Sequence, residues 1–148
     1  MSESPPRTAV IGAGISGLTS GKMLKDYGVP HTIFELSDRI GGNWAFGNPN
    51  GLSSAYRSLH IDTSKERLSF KDFPIPEHFP SFPHHSDIKA YLDAYADAFG
   101  LLENIEFNNG VQHAARRPDG RWDITDQQGT TREFDLLVVG NGHHWDAR

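Results

Sequence analysis

The sequence has no cysteine among its 148 residues. A disulfide framework, a thiolate metal site and a thiol nucleophile are therefore excluded. Basic residues are also fewer than acidic ones, 14 against 19, which gives a formal net charge of −5. Because the basic residues form no cluster, this balance argues against a nucleic-acid-binding surface and against binding to an anionic membrane.

Long apolar segments are missing as well. The apolar runs at 9–15 and 136–139 are far too short to cross a membrane. Residues 1–6 lack the apolar core of a secretory signal and are expected to form a disordered lead. We therefore expect a cytoplasmic globular chain without a transmembrane segment.

Residues 7–35 carry the pattern of a strand, a helix and a second strand. A β-branched run at 7–11 leads into a glycine-rich stretch at 12–17, which opens a segment with apolar residues at helical spacing. A second β-branched run follows at 31–35. A right-handed crossover of this kind predicts an α/β fold with a parallel sheet.

The glycine-rich stretch matches the dinucleotide fingerprint Gly-x-Gly-x-x-Gly at Gly12, Gly14 and Gly17. In this Rossmann-type context Gly12 permits a tight turn, Gly14 lets a pyrophosphate approach the backbone, and Gly17 lets helix and strand pack closely. The helix N-terminus, with Ile15 and Ser16, would present free amides to the phosphates. The alternative is a tight turn shaped by glycines without any ligand.

Glu35 ends the second predicted strand at the spacing that the fingerprint requires. Its carboxylate would accept hydrogen bonds from the hydroxyls of an adenosine ribose and would repel a 2′-phosphate. The site is therefore expected to bind FAD or NAD rather than NADP.

The rest of the chain divides into three parts. Residues 37–85 are rich in glycine, proline and aromatic residues. This composition predicts a loop-rich segment that is packed against another part of the protein or a ligand rather than disordered. A helix follows, capped by Ser86 and stopped by Gly100. Short strand signals over 105–134 predict a small antiparallel β-meander, and the apolar run at 135–140 predicts a further strand of the parallel sheet.

Several stretches beyond the fingerprint resemble, in order, the N-terminal third of flavin-containing monooxygenases: 41–44, 56–66, 70–76, 91–99 and 138–144. The resemblance covers about residues 7–146. It implies a flavoprotein oxidoreductase that holds FAD and uses NADPH as co-substrate. Such enzymes oxygenate a small soft-nucleophile substrate through a flavin hydroperoxide, and the related Baeyer–Villiger enzymes insert oxygen beside a ketone.

The resemblance also implies further cofactor-binding residues, namely Leu36, Gly41, Gly42, Asn43, Trp44 and Val111. The paired glycines would let the backbone lie against the pyrophosphate and the ring system. Val111 would lend backbone groups to the adenine, although an ordinary strand residue is an equal alternative.

Asp62 is the one catalytic residue that the resemblance implies, because it lies next to the flavin where the family usually has asparagine. An ionised aspartate cannot donate a hydrogen bond and repels anionic oxygen, so its competence depends on its protonation state. The alternative is a structural aspartate in a loop turn.

The expected domain organisation is a disordered lead over 1–6 and the N-terminal part of a FAD-binding domain over 7–148. The second glycine fingerprint and the returning segment of the family are not in the sequence, which predicts a truncated relative without an NADPH domain. One alternative is that a second chain completes the enzyme. Two other classes of protein are also alternatives. The first is an NAD(H)-dependent dehydrogenase or a flavin oxidase without oxygen transfer, and the second is a non-catalytic nucleotide-binding or partner-binding module.

A metal site is not expected. The sequence has eight histidines but none of them forms the i, i+4 helical pair of a zinc protease. The adjacent pairs at 84–85 and 143–144 point their side chains apart on a strand or a helix.

Overall fold

The structure is a computed structural model that describes residues 4–143. The strands in chain order are β1 (Thr8–Ile11), β2 (His31–Phe34), β3 (Ile105–Glu106), β4 (Val111–Arg116), β5 (Trp122–Asp126), β6 (Thr131–Phe134) and β7 (Leu136–Val139). The α-helices are α1 (Ile15–Asp26), α2 (Lys65–Leu68) and α3 (His85–Ala98), and single 3₁₀ turns span Gly42–Trp44 and Leu102–Asn104. Residues 1–3 of the predicted lead and 144–148 of the predicted domain lie outside the described residues.

A parallel sheet with the strand order β3-β2-β1-β7 forms the centre of the fold. β1 pairs in parallel with β2 on one side and with β7 on the other, and β2 pairs in parallel with β3. The helix α1 connects β1 to β2, as the glycine-rich pattern predicts. The predicted α/β class with a parallel sheet and a small antiparallel meander is therefore confirmed.

The two faces of the sheet are covered by different layers. Successive residues of a strand point to opposite faces, so Val10 and Ile33 join the apolar core beneath α1 and α3. Ala9 and Phe34 point the other way and pack with side chains of the meander, which has the strand order β4-β5-β6. β1 and β2 are thus covered on both faces, as their apolar residues require, whereas Leu136 and Val139 of the edge strand β7 are exposed.

Two sequence-based expectations about elements are wrong. β3 belongs to the parallel sheet rather than to the meander, because the chain reaches it after α3 and pairs it with β2 in a crossover connection. The N-cap of α3 is His84 rather than Ser86, since the His84 side chain accepts a hydrogen bond from the Ser86 amide.

The segment 37–85 has little regular structure but is anchored to the rest of the molecule. Phe70 and Phe73 pack against the core beneath α3, where the Tyr91 hydroxyl accepts from the Phe70 amide and donates to the Phe73 carbonyl. Lys65 Nζ donates to the carbonyls of Glu77 and Phe79 at 2.7 Å. Within residues 4–143 no helix combines the length and apolar content that a membrane crossing requires.

Candidate cofactor site

A cavity of about 520 Å³ opens at the carboxyl ends of the parallel strands. Ile11, Phe34 and Val139, the last residues of β1, β2 and β7, line it. This edge is where open α/β sheets bind their ligands. The lining includes all the predicted cofactor residues except Gly17: Gly12, Gly14, Ile15, Ser16, Glu35, Leu36, Gly41, Gly42, Asn43, Trp44 and Val111.

The three fingerprint glycines differ in what surrounds them. Gly12 has φ +93°, and a Cβ on it would lie 2.5 Å from the Gly140 carbonyl oxygen. A Cβ on Gly17 would lie 1.7 Å from the Gly12 carbonyl oxygen, so Gly17 is required by the packing of α1 on the turn. A Cβ on Gly14 would meet nothing nearer than the Gly42 Cα at 3.5 Å. The fold therefore requires glycine at two of these positions, whereas a Cβ at Gly14 would only touch the Gly42 backbone.

The N-terminus of α1 points free amides toward the cavity. The first helical hydrogen bond runs from the Leu18 amide to the Gly14 carbonyl, so the amides of residues 15–17 precede the helical ladder. Gly14 offers no side-chain cap, and the first turn holds no acidic residue. These features suit an anion such as a phosphate.

Glu35 ties the glycine turn to the end of β2. Its side chain is buried, with Oε2 accepting from the Ala13 amide at 2.7 Å and Oε1 accepting from the Ser37 amide at 2.8 Å. A carboxylate oxygen has two acceptor sites, so each oxygen keeps one for a ligand hydroxyl. Glu35 is also the one charged side chain among the described lining residues.

A second glycine turn packs directly against the first at the wall of the cavity. Gly41 and Gly42 adopt φ values of +112° and +54°, which favour glycine. The Gly41 amide donates to the Ala13 carbonyl at 3.0 Å, which fixes the two turns together. The 3₁₀ turn that follows carries Asn43 and Trp44 into the cavity wall.

The opposite wall comes from β4 and the residue before it. Val111 lines the cavity together with Gly110 and His113. Leu36 packs closely on Gly110, because a Cβ there would lie 2.7 Å from the Leu36 Cδ1. This wall combines apolar contact with strand backbone groups.

Two parts of the lining were not predicted. The turn at 48–53 contributes Asn48, Asn50, Leu52 and Ser53, and the segment after β7 contributes residues 140–143. The second part carries a detectable signal, because Gly140 follows a parallel strand and the carboxyl ends of such strands meet at one edge. The turn at 48–53 carries none, since its position depends on the Asn43 side chain accepting from the Ser54 amide.

Asp62 lies apart from this lining. Its side chain is exposed, and its Oδ1 accepts from the Thr63 hydroxyl at 3.4 Å. The cavity lining does not include it, so its catalytic role stays a prediction. The adjacent rings of His84 and His85 do not point apart as expected, because their centroids lie 3.9 Å from each other. Across the described part of the chain, however, no three His, Asp or Glu side chains are grouped to hold a metal ion.

The donor set fits a dinucleotide cofactor. Backbone amides and a helix N-terminus can hold a pyrophosphate, one buried carboxylate can accept from ribose hydroxyls, and apolar walls can cover ring systems. The two glycine turns contact each other along one wall of this cavity, because a Cβ on Gly14 would lie only 3.5 Å from the Gly42 Cα.

Fold and site together define a Rossmann-type dinucleotide-binding unit. The model of the flavin-binding monooxygenase-like family matches residues 6–148, and the chain belongs to this family. The predicted resemblance to flavin-containing monooxygenases is thereby confirmed.

Individual relatives agree with this assignment. The chain is 44% identical to flavin-containing monooxygenase 5 of Cavia porcellus over 150 residues, covering 95% of this chain and 28% of the relative. The structure of S-allyl-L-cysteine S-oxygenase from Allium sativum superposes with a TM-score of 0.86 at 28% identity, covering 97% of this chain and 38% of that one. A steroid monooxygenase bound to NADP gives a TM-score of 0.81 at 25% identity, covering 95% of this chain and 26% of that one. The chain thus spans well under half the length of these relatives.

Proposed function

We propose that this chain binds FAD as the N-terminal portion of a flavin-dependent, NADPH-using monooxygenase that oxygenates a small soft-nucleophile or ketone substrate. The observation that carries the proposal is the cavity that the two glycine turns, the α1 N-terminus and Glu35 line together. Family membership supports the same cofactor and the same class of reaction.

Each part of the site has a proposed task. The α1 N-terminus and Gly14 hold the pyrophosphate through backbone amides, because no Lys or Arg is among the described lining residues. Glu35 accepts from the adenosine ribose, and Leu36 and Val111 cover the adenine. Gly42 and Trp44 line the path toward the flavin ring. FAD, when bound, supplies the redox chemistry that amino-acid side chains lack.

Glu35 sets the choice of nucleotide at this site. A buried carboxylate at the ribose disfavours a 2′-phosphate, so NADPH binds elsewhere in the enzyme that we propose. Residues 4–143 contain one such nucleotide cradle. The NADPH site therefore belongs to a further part of the enzyme, in a longer chain or in a second, different chain.

Two finer assignments belong to this proposal. Asp62 is the residue of this chain that we place nearest the reaction, because it occupies the position where the family usually has asparagine. The cytoplasm is the compartment that we propose, in keeping with a sequence that holds no cysteine for disulfide bonds.

The direct test is a titration of the chain with FAD, followed by quenching of flavin fluorescence, for the wild type and Gly14→Ala. Gly14 has φ −77° and ψ −171°, which alanine adopts freely, and the new Cβ meets only the Gly42 backbone. We expect FAD affinity to fall by at least about tenfold, or 1.4 kcal/mol. The thermal unfolding midpoint of the FAD-free chain should not change.

The contrasting variant is Gly17→Ala, whose Cβ would overlap the Gly12 carbonyl oxygen and should lower the unfolding midpoint itself. Equal FAD affinity in the wild type and Gly14→Ala would refute the assignment of the pyrophosphate to this turn. Binding of NAD⁺ in preference to FAD would favour the dehydrogenase alternative.

A further inference from the structure

Three asparagines that follow the second glycine turn line the cofactor cavity: Asn43, Asn48 and Asn50. Asn48 is almost completely buried, with 9% of its surface exposed, and the other two are half-buried. Neither Asn48 nor Asn50 belongs to the sequence pattern that predicts the cofactor site. What these side chains offer a ligand depends on which of their atoms the protein already uses.

The side-chain oxygen of each asparagine holds the turn together. Asn43 Oδ1 accepts from the Ser54 amide at 2.8 Å. Asn48 Oδ1 accepts from the Asn50 amide at 3.2 Å, and Asn50 Oδ1 accepts from the Leu52 amide at 3.0 Å. Because a backbone amide can only donate, these bonds identify the oxygen end of each side chain. The opposite end of each one is therefore an NH₂ group, which can only donate.

The three NH₂ groups are available to a ligand. Within residues 4–143 none of them donates to a protein acceptor, and none is a buried atom shut off from solvent. Polar atoms of a folded protein normally find a hydrogen-bond partner, in the protein, in water or in a ligand. We call Asn43, Asn48 and Asn50 together the asparagine wall, which offers the cavity side-chain donors.

Consecutive backbone turns connect this wall to the anion-binding end of α1. The Ala45 amide donates to the Gly42 carbonyl at 3.1 Å, and the Asn48 amide donates to the Ala45 carbonyl at 3.1 Å. The Gly51 amide then donates to the Asn48 carbonyl at 3.0 Å. Gly42 lies against Gly14, since a Cβ on Gly42 would be 3.0 Å from the Gly14 Cα. The wall thus starts one residue beyond the contact with the glycine turn that opens α1.

The charges of the cavity favour neutral donors at this place. A pyrophosphate brings two negative charges, and the buried Glu35 carboxylate lines the same cavity. No Lys or Arg is among the described lining residues. An anion that leaves water needs hydrogen bonds to replace its hydration. The free amides of residues 15–17 supply some of these bonds, and the asparagine NH₂ groups can supply more.

We propose that the asparagine wall binds the pyrophosphate of the cofactor together with the N-terminus of α1. The side-chain oxygens hold the turn, and the NH₂ groups donate to the phosphate oxygens. This inference rests on the proposed function, because it takes the ligand of the cavity to be FAD. It assigns a binding role to Asn48 and Asn50, and it explains how a site without Lys or Arg can hold two phosphates.

The test is isothermal titration of the full chain with ADP and with FAD, for the wild type and Asn48→Asp. Aspartate has nearly the same shape and keeps an oxygen for the Asn50 amide, but it replaces the NH₂ group by a second, negatively charged oxygen. We expect the affinities for ADP and for FAD both to fall by at least about tenfold. The thermal unfolding midpoint of the ligand-free chain should not change.

The matched control is Asn108→Asp, which adds the same charge at an exposed residue outside the cavity lining. Asn108 has φ +52°, a conformation that aspartate also tolerates. This variant should bind ADP and FAD as the wild type does. The titrations are repeated at about 1 M salt, where the Debye length is about 3 Å. A lost hydrogen bond persists at this salt concentration, whereas repulsion over a longer distance is screened.

Each other outcome overturns a defined part of the inference. Wild-type affinities in Asn48→Asp would refute the wall, and so would a difference from the wild type that disappears at high salt. A loss of affinity for FAD without a loss for ADP would refute the assignment to the pyrophosphate. If Asn48→Asp does not fold, Asn50→Asp replaces it, because its oxygen also accepts from a backbone amide.

The wild type separates this inference from the proposed function. Binding of ADP without binding of FAD would refute the proposed function and leave the asparagine wall to be judged by ADP alone. Binding of neither ligand would refute both. Binding of FAD by the wild type and equally by Asn48→Asp would refute the wall and leave the proposed function intact.

Discussion

At the residue scale, Glu35 has two roles. It is the proposed acceptor for the ribose hydroxyls, and it acts as a clamp by joining two backbone turns through hydrogen bonds. Its two carboxylate oxygens accept from the buried backbone amides of Ala13 and Ser37. A clamp of this kind holds the glycine turn in place before any ligand arrives, which reduces the cost of ordering the site on binding.

We predict that Glu35→Gln destabilises the chain even without a cofactor. The glutamine oxygen can satisfy one backbone amide, but its NH₂ group faces the other and leaves a buried donor unpaired. The expected loss in the free energy of unfolding is about 1–3 kcal/mol, measured by urea denaturation. The matched control is Glu77→Gln on an exposed side chain, which should change stability by less than about 0.5 kcal/mol. Equal stability of the two variants would contradict the clamp.

The sequence predicts glycine's role at Gly17 from crowding by the Gly12 carbonyl within the turn, and at Gly12 from the positive φ of the turn itself, whereas the contact of Gly12 with Gly140 comes from a distant strand. It does not predict the bonds from Ala13 and Ser37 to Glu35, because they exist only once β2 and two separate turns have come together. The glycine residues of the cavity wall can likewise be predicted from their local pattern, whereas the wall at 48–53 cannot, because it depends on contacts made after folding.

At the scale of elements, α3 is the piece that orders the loop-rich segment 37–85. Burial raises the pKa of the Tyr91 hydroxyl, which accepts from the Phe70 amide at 3.1 Å and donates to the Phe73 carbonyl at 2.5 Å. Burial also raises the pKa of Tyr95 to about 12. The two tyrosines pack on the same phenylalanines, Phe70 and Phe73, but within residues 4–143 it is the Tyr91 hydroxyl alone that hydrogen-bonds to that loop.

We predict different costs for removing these two hydroxyls. Tyr91→Phe leaves the Phe70 amide and the Phe73 carbonyl without their partner and should lower the free energy of unfolding by about 1–3 kcal/mol. Tyr95→Phe keeps the ring contacts and should cost less than about 0.5 kcal/mol. Chemical denaturation of both variants checks this. A larger loss for Tyr95→Phe would contradict the account of how α3 holds the loop.

The elements that the sequence mispredicts share one cause. The two-residue strand β3 has no pattern of its own, and only the crossover through α3 assigns it to the parallel sheet. His84 is not a typical N-cap residue, and it becomes one because the Arg57 carbonyl fixes its ring. α1 and β1 agree with the prediction, because the apolar pattern within each segment is enough to indicate its secondary structure.

At the scale of the whole molecule, the described residues form one candidate nucleotide-binding cavity, which lies at the carboxyl edge of the parallel sheet. The parallel strands bring Gly12, Glu35 and Gly140 to this edge from distant parts of the sequence. The meander adds a wall on the side where the adenine is proposed to lie. The residues at this edge are those that we propose for the adenosine diphosphate half of FAD.

The most direct test of this account is competition for the bound FAD. ADP should displace FAD from the chain, because it carries the ribose and the pyrophosphate that Glu35 and α1 are proposed to hold. FMN, which has no adenosine, should not displace it, and neither should an adenosine nucleotide that carries a 2′-phosphate, since Glu35 repels that group. Displacement by FMN without displacement by ADP would contradict the central claim.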